Sequence, residues 1–322
     1  MTRTLDDLRM LQALPLDAKV LKTKQRIREW YRAFDGKVYV SFSGGKDSTV
    51  LLHIVRELYP EVEAVFVDTG LEYPEIREFV KAFDNVTWVR PKMTFREVIE
   101  KYGYPLISKE VSKKVYEARS CPTGYAAARF DPESEYNKKY KKYSLARWVW
   151  LRDSDIPVSD KCCDVMKKGP AKAFEKATGK KAILGTMAEE SRQREERWLK
   201  QGCNAFDNKR PNSAPLSFWT EQDVLRYIVE NKIPISPIYG EVKYDETGKL
   251  TTTGAHRTGC MFCAFGAHCE KNPNRFQRMK ISHPKIYDYC MRPWEEGGLG
   301  MAEVLEKIGV ETDYDQMMMD IK

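Results

Sequence analysis

The sequence predicts an α/β protein built on a doubly wound parallel sheet, and three observations predict it. Short β-branched and aromatic runs alternate with amphipathic helical stretches between residues 37 and 184, which is the pattern of βαβ units. A glycine pair, Gly44-Gly45, sits between the first such run and the helix after it. The chain has 322 residues, enough for one such domain with additions and a full apolar core.

Each element follows from local pattern. Residues 6–34 read as helix, with Leu8, Leu11, Leu14, Val20, Ile27, Trp30, Tyr31 and Phe34 at spacings near three and four and a break at Pro15. Asp35-Gly36 ends it. Residues 37–42 form a strand, 47–58 a helix, 62–67 a strand, 74–83 a helix and 86–89 a strand. Residues 169–177 then read as helix and 181–184 as strand. Ligands in such sheets bind beyond the carboxyl ends of the strands, so the chemistry is expected after Phe42, Val67 and Leu184. Residues 105–160 interrupt the rhythm. From about residue 210 prolines and glycines accumulate, with one helix over 221–231. The expected organisation is N-terminal helices (1–36), an α/β domain (37–210) and a C-terminal module (211–322).

Composition narrows the class. Hydrophobic residues make up 42% and charged residues 31%, values of a globular protein rather than a disordered one. The net charge of +7 permits an anionic partner. No apolar run approaches the ~20 residues of a membrane span, and Met1-Thr-Arg-Thr-Leu-Asp-Asp lacks a signal-peptide apolar region. A cytoplasmic protein with no membrane partner is expected. Eight cysteines then point to reduced thiols, a metal or catalysis.

The string Ser41-Phe42-Ser43-Gly44-Gly45-Lys46-Asp47-Ser48 carries the strongest signal. Two glycines let backbone approach a phosphate with no Cβ between. The helix start offers free N–H donors; Ser43 and Ser48 add hydroxyls, and Lys46 adds positive charge. Asp47 is unusual beside a polyphosphate unless it holds Mg2+ or orients the loop. The spacing is not that of a Walker A loop. The string resembles the PP-loop of the ATP pyrophosphatase superfamily. Asp68-Thr69-Gly70-Leu-Glu72-Tyr-Pro-Glu75 looks like the second motif of the phosphoadenylyl-sulfate (PAPS) reductase-like branch. Gly185-Thr-Met-Ala-Glu-Glu190-Ser191-Arg-Gln-Arg194 resembles its Gly-x-Arg-x-x-(Gln/Glu)-Ser-x-x-Arg motif, and Pro215–Ile228 with Ile233-Pro234 the next. The resemblance covers roughly residues 18–265 and implies ATP cleaved between its α and β phosphates. By that resemblance Lys46, Asp47 and Ser48 are catalytic. Ser41, Phe42, Ser43, Gly44, Gly45, Asp68, Thr69, Gly70, Glu72, Gly185, Glu190, Ser191 and Arg194 bind the nucleotide.

Cys162-Cys163 and Cys260-x-x-Cys263 form two close groups. Four thiolates suit a tetrahedral zinc or a 4Fe–4S cluster; four inert buried thiols are the plain alternative. Adjacent cysteines chelate one zinc poorly. The combination resembles the cluster-bearing adenylyl-sulfate (APS) reductases, as do Lys167 and Pro170, and this implies a 4Fe–4S cluster on Cys162, Cys163, Cys260 and Cys263. Cys121, Cys203, Cys269 and Cys290 receive no role, although Cys269, in Cys263-Ala-Phe-Gly-Ala-His268-Cys269, is a candidate sulfur carrier.

Two departures from the reductase pattern bear on function. No cysteine follows Cys290 where the reductases carry Glu-Cys-Gly-(Ile/Leu)-His, and Met187 stands where their motif has arginine, a bidentate anion clamp. The retained parts look more like members that adenylate DNA or transfer RNA for sulfur insertion, with ATP, Mg2+ and the cluster as cofactors and a cysteine desulfurase as sulfur donor. A divergent APS/PAPS reductase and a non-catalytic nucleotide sensor are the alternatives. Residues 108–152 carry a net charge of +6, falling to +3 when extended to Asp160, with Tyr116, Tyr125, Phe130, Tyr136, Tyr140, Tyr143, Trp148 and Trp150 interleaved. Such a segment tracks phosphates and stacks bases, or is a helical face of solvated lysines, Lys138, Lys139, Lys141 and Lys142.

Overall fold

A computed structural model describes residues 3–313; residues 314–322, most of the cysteine-free tail, lie outside the described residues. Among the described residues there are ten short strands: β1 (Val38–Ser41), β2 (Ala64–Val67), β3 (Val86–Val89), β4 (Leu106–Ile107), β5 (Lys181–Leu184), β6 (Asn204–Ala205), β7 (Asn212–Ser213), β8 (Val242–Tyr244), β9 (Leu250–Thr252) and β10 (Ala264–Phe265). The chain divides into two units interleaved in sequence. The first is Met1–Asp68, Glu72–Arg90 and Pro170–Thr258; the second is Thr69–Leu71, Pro91–Gly169 and Gly259–Lys322.

The first unit holds the six-stranded sheet, in the order β3-β2-β1-β5-β7-β6. Every pairing is parallel except β6 with β7. Both faces are covered, as a parallel sheet requires. Val38, Val40, Phe42 and Phe66 join Val50, Leu51, Ile54 and Val55 of the helix Lys46–Leu58 in one core. Tyr39, Val65 and Ala182 face the other way, against Phe174 of the helix Gly169–Thr178. The doubly wound expectation is met. Strand 181–184 and the break at Pro15 fall as expected, with helices Leu5–Gln12 and Leu16–Ala33 on either side. The helix expected over 74–83 ends earlier, at Lys81. The two-residue strands β6 and β7 were not legible, because two residues carry no periodicity.

A buried ion pair ties the N-terminal helix to the motif helix Glu221–Glu230. Lys19 Nζ lies 2.6 Å from Asp223 Oδ2, and Lys19 is 2% exposed. Asp223 also accepts from the Thr220 N–H and hydroxyl in a capping box.

The second unit is built from short elements. β4 pairs in parallel with β10, and Tyr104 bridges Val158. The expected lysine-rich helical face is a short helix, Glu135–Lys139, followed by a 3-10 turn, Lys141–Tyr143. Gly103 has φ +100, and a Cβ there would stand 2.3 Å from the Pro157 carbonyl carbon; only glycine permits this crossing. The Arg119 guanidinium donates to the carbonyls of Leu151, Arg152, Ser154 and Ile156, and the Ser154 hydroxyl donates to Leu151 as well, together satisfying the end of the helix Val149–Asp153.

Lys19→Ala leaves the Asp223 carboxylate half-compensated in the core. It is expected to lower the unfolding free energy by about 3 kcal/mol. Urea denaturation of both chains measures this, and a change under about 1 kcal/mol would contradict the ion pair's role.

Candidate functional site

The residues expected to bind phosphate meet at the carboxyl end of β1. Residues 42–45 turn from the strand into the helix Lys46–Leu58. Gly44 has φ +71, and a Cβ there would lie 2.7 Å from Val80 Cγ2 and 2.8 Å from Ile76 Cγ2. Both the conformation and the space therefore demand glycine. Gly45 is the N-cap and gives the helix no side-chain cap. The Lys46 N–H meets the Tyr239 hydroxyl at 3.2 Å. Among the described residues the N–H groups of Asp47 and Ser48 have no partner, which leaves an anion-binding helix start.

The hydroxyls of Ser43 and Ser48 lie 3.1 Å apart, and Ser48 Oγ donates to the Gly45 carbonyl at 2.9 Å. Gly185, after β5, brings a second turn against this one: a Cβ there would be 3.1 Å from the Asp47 carbonyl oxygen and from Ser48 Cα. The expected joint placement of Gly185 and the loop is realised by close backbone approach.

Charge is concentrated here. Lys46 is 3% exposed, with Nζ 3.1 Å from Glu221 Oε1, 3.2 Å from the His256 carbonyl oxygen and 3.6 Å from Asp47 Oδ1. Burial alone would lower its pKa, but the Asp47 and Glu221 carboxylates outweigh that and raise it. Lys46 is thus a fixed cation. Burial pushes the Asp47 carboxyl up, against the opposing pull of Lys46 and Arg257 and with the added repulsion of Glu221. Asp47 Oδ1 is buried and accepts no hydrogen bond. A buried carboxylate oxygen with an ion pair to Lys46 but no hydrogen bond fits Mg2+, a hard, oxygen-seeking cation.

The remaining expected residues divide. Glu190 accepts from the Met187 N–H at 2.8 Å and is paired with Arg194. Ser191 caps the helix Arg192–Gln201. Arg194 feels burial first, then Arg257 and Asp47, with a net lowering, so it belongs to the same charge cluster. Asp68 is 4% exposed and ion-paired with Arg77 at 3.0 Å and Arg90 at 3.2 Å. Glu72 is half-buried in the same unit. Thr69 and Gly70 belong to the second unit, where Thr69 Oγ1 accepts from the Leu71 N–H. Ser41 ends β1, registered with Val65 and Leu184. Phe42 is 1% exposed, its ring lies in the core against Phe83, and its N–H is bound to Val65. Its side chain therefore serves packing. Met187 is also in the apolar core, 3% exposed.

Sequence reasoning missed Tyr239, Thr258, Arg257 and Glu221. Tyr239 Oη bonds Thr258 Oγ1 at 2.7 Å, and a Cβ on Gly45 would lie 3.2 Å from that Tyr239 oxygen and 3.4 Å from Thr258 Oγ1. The run Thr251-Thr-Thr-Gly-Ala-His-Arg-Thr258, hydroxyls followed by basic residues, was the available signal.

The four motif cysteines all lie in the second unit. Cys162 is buried; burial first, then Cys163, Cys260 and Cys263, push its thiol well up. Cys263 is raised by burial as well, with Arg275 and Lys167 opposing. The Cys263 N–H donates to the Cys260 carbonyl at 3.2 Å, and Arg275 donates to the Cys263 carbonyl at 2.8 Å. A π-helical turn, Asp164–Lys168, follows Cys163 directly. The Cys162 thiol thus feels the other three motif cysteines, and Lys167 and Arg275 supply positive charge beside Cys263. Among the described residues, no three His, Cys, Asp or Glu side chains are gathered into a group that could hold a metal ion.

In the insertion, Tyr116, Tyr125, Tyr140, Tyr143 and Trp150 are exposed, and Phe130 is fully buried. Lys139 and Lys142 lie over the Tyr140 and Tyr143 rings at 5.3 and 6.0 Å. Among the described residues, no helix is long and apolar enough to cross a membrane.

The family model described as the phosphoadenosine phosphosulfate reductase domain matches residues 37–123 and 85–264, and the chain belongs to that family. It is 25% identical over 309 residues to an uncharacterized protein of Methanocaldococcus jannaschii, a match that covers 94% of this chain and 59% of that protein. It is 26% identical over 211 residues to the adenosine 5'-phosphosulfate reductase of Geobacillus kaustophilus, covering 65% of this chain and 70% of that enzyme. A crystal structure of phosphoadenylyl-sulfate (PAPS) reductase from Candida auris, in a phosphate complex, is 15% identical with a TM-score of 0.40, covering 80% of this chain and 99% of that one.

Gly44→Ala is expected to weaken ATP binding at least about tenfold, because the loop must shift to clear Ile76 and Val80. Isothermal titration checks it, and unchanged affinity would contradict the loop assignment.

Proposed function

Starting from membership of the phosphoadenosine phosphosulfate reductase family, we propose that the chain is an ATP pyrophosphatase that adenylates a nucleic-acid acceptor for sulfur transfer. The observation that carries the reading is the helix start at Lys46 with no side-chain cap, beside a buried lysine and an Asp47 oxygen that accepts no hydrogen bond. An acceptor oxygen attacks the α-phosphorus of ATP, and the α–β bridging oxygen leaves with pyrophosphate. The N–H groups of Asp47 and Ser48, the two serine hydroxyls and Lys46 hold the departing charge. Most of the gain is electrostatic stabilisation and positioning. Bound Mg2+ neutralises phosphate charge, and Asp47 would hold it. Arg194, paired with Glu190, faces the same cluster. Sulfur then displaces AMP from the acceptor.

Cys162, Cys163, Cys260 and Cys263 would hold a 4Fe–4S cluster, which supplies redox or sulfur chemistry when bound. DNA or transfer RNA is the acceptor class supported by the exposed tyrosines and lysines of the insertion, and a cysteine desulfurase is the matching sulfur donor.

A second reading is sulfonucleotide reduction, favoured by the Geobacillus relative's name. Against it stands Met187, buried in the core where the reductase motif places a sulfo-binding arginine.

Incubation with ATP and either DNA or transfer RNA is expected to release AMP and pyrophosphate in equal amounts. Ser48→Ala and Asp47→Ala should slow this about 100-fold. Sulfite release from APS or PAPS, with no pyrophosphate from ATP, would support the second reading instead. Anaerobically purified protein is expected to contain about four iron and four sulfide per chain; one equivalent of zinc would overturn the cluster.

A further inference from the structure

One nucleophilic pair lies outside the site described above. Cys269 is exposed, and its Sγ stands 3.2 Å from Nε2 of His268. The imidazole is held in place: Trp148 packs edge-on against it, with ring centroids 5.4 Å apart at 88°. The other ring nitrogen, Nδ1, is buried with no hydrogen-bond partner, so the nitrogen facing the thiol is the one available for proton exchange. Burial first, then the Arg147 charge, lower the pKa of His268. Near neutrality the ring is thus uncharged and able to accept a proton.

The other unassigned thiols differ. Cys290 is fully buried and Cys203 half-buried, and burial raises both thiols, which makes them poor nucleophiles. Cys121 is exposed, and among the described residues no imidazole bonds to it. It serves as an internal standard for an exposed thiol lacking a base.

We propose that Cys269 and His268 form a nucleophile–base pair that accepts sulfane sulfur from a persulfide, making Cys269 the chain's own sulfur-carrying residue. In this step the Cys269 thiol gives its proton to His268 Nε2. Its electron pair attacks the outer sulfur of a donor R–S–SH. The donor S–S bond breaks, and the leaving R–S⁻ takes the proton from His268 to depart as R–SH. Cys269 is left as a persulfide, and no external oxidant or reductant is consumed. Cys269 is the covalent residue, and His268 acts through it. The Lys/Arg-rich insertion reaches this spot through Arg147 and Trp148, so an anionic acceptor held there would lie beside the carried sulfur.

The inference rests on the sulfur-transfer reading, but its test uses no ATP and fails separately from it. Anaerobic full-length protein is treated at pH 7 with limiting iodoacetamide, and the peptides carrying Cys269 and Cys121 are quantified by mass spectrometry. Cys269 is expected to react about tenfold faster or more. The advantage should fall as pH is lowered through the His268 titration, which lies below the ordinary histidine range, and should vanish in His268→Gln. Incubation with cysteine persulfide should add one sulfur, about 32 Da, to the Cys269 peptide, and far less in His268→Gln. Equal labelling of Cys269 and Cys121, or a rate for Cys269 unchanged in His268→Gln, would overturn the pairing. Sulfur found on another cysteine in preference to Cys269 would overturn the carrier role.

Discussion

The first unit's site depends on one constraint: a helix must begin, uncapped, against the carboxyl edge of a parallel sheet. Gly44 makes the turn in a left-handed conformation with no room for a Cβ against Ile76 and Val80. Gly45 then hands the chain to Lys46 as an N-cap with no side-chain cap. Gly185 fixes the same place from the other side, where backbone from the β5 turn touches Asp47 and Ser48. Three positions without side chains thus set the loop's backbone in place, and the core helix that follows cannot move without disturbing the apolar layer beneath it. That rigidity is what preorganised charge stabilisation needs.

The electrostatics follow from the same crowding. Lys46 is buried, and its charge survives because two carboxylates share the pocket. Asp47, half-compensated by Lys46 and Arg257, keeps an oxygen with no hydrogen bond. An arrangement so poorly satisfied in the free protein is more reactive towards a metal–polyphosphate than a fully paired one. Asp68 offers the contrast. Its carboxylate is held between two arginines, which braces the strand end.

Much of this was legible from residue order. The alternation of strands and helices, the break at Pro15 and the Ser-Gly-Gly-Lys-Asp-Ser turn carry their own physics, and β1, β2, β3 and β5 lie where periodicity predicts them. What escaped was long-range. Tyr239 and Thr258 reach the loop from about two hundred residues away, and no local pattern encodes that pairing. Phe42 sits inside the motif, yet its ring belongs to the core, because adjacent strand residues face opposite sides. The interleaving of the two units also has no sequence signature. The chain leaves the first unit briefly at Thr69–Leu71 and again at Pro91, and the folded contacts alone reveal it. The His268–Cys269 geometry depends on Trp148, more than a hundred residues earlier.

The most direct test of the account is a crystal structure of the chain with Mg2+ and α,β-methylene-ATP, whose α–β linkage cannot be cleaved. The β- and γ-phosphates should lie on the N–H groups at the start of the Lys46–Leu58 helix, within hydrogen-bond reach of Ser43 and Ser48, with the metal on Asp47. Polyphosphate density elsewhere, or a loop whose N–H groups stay unengaged with nucleotide bound, would contradict it.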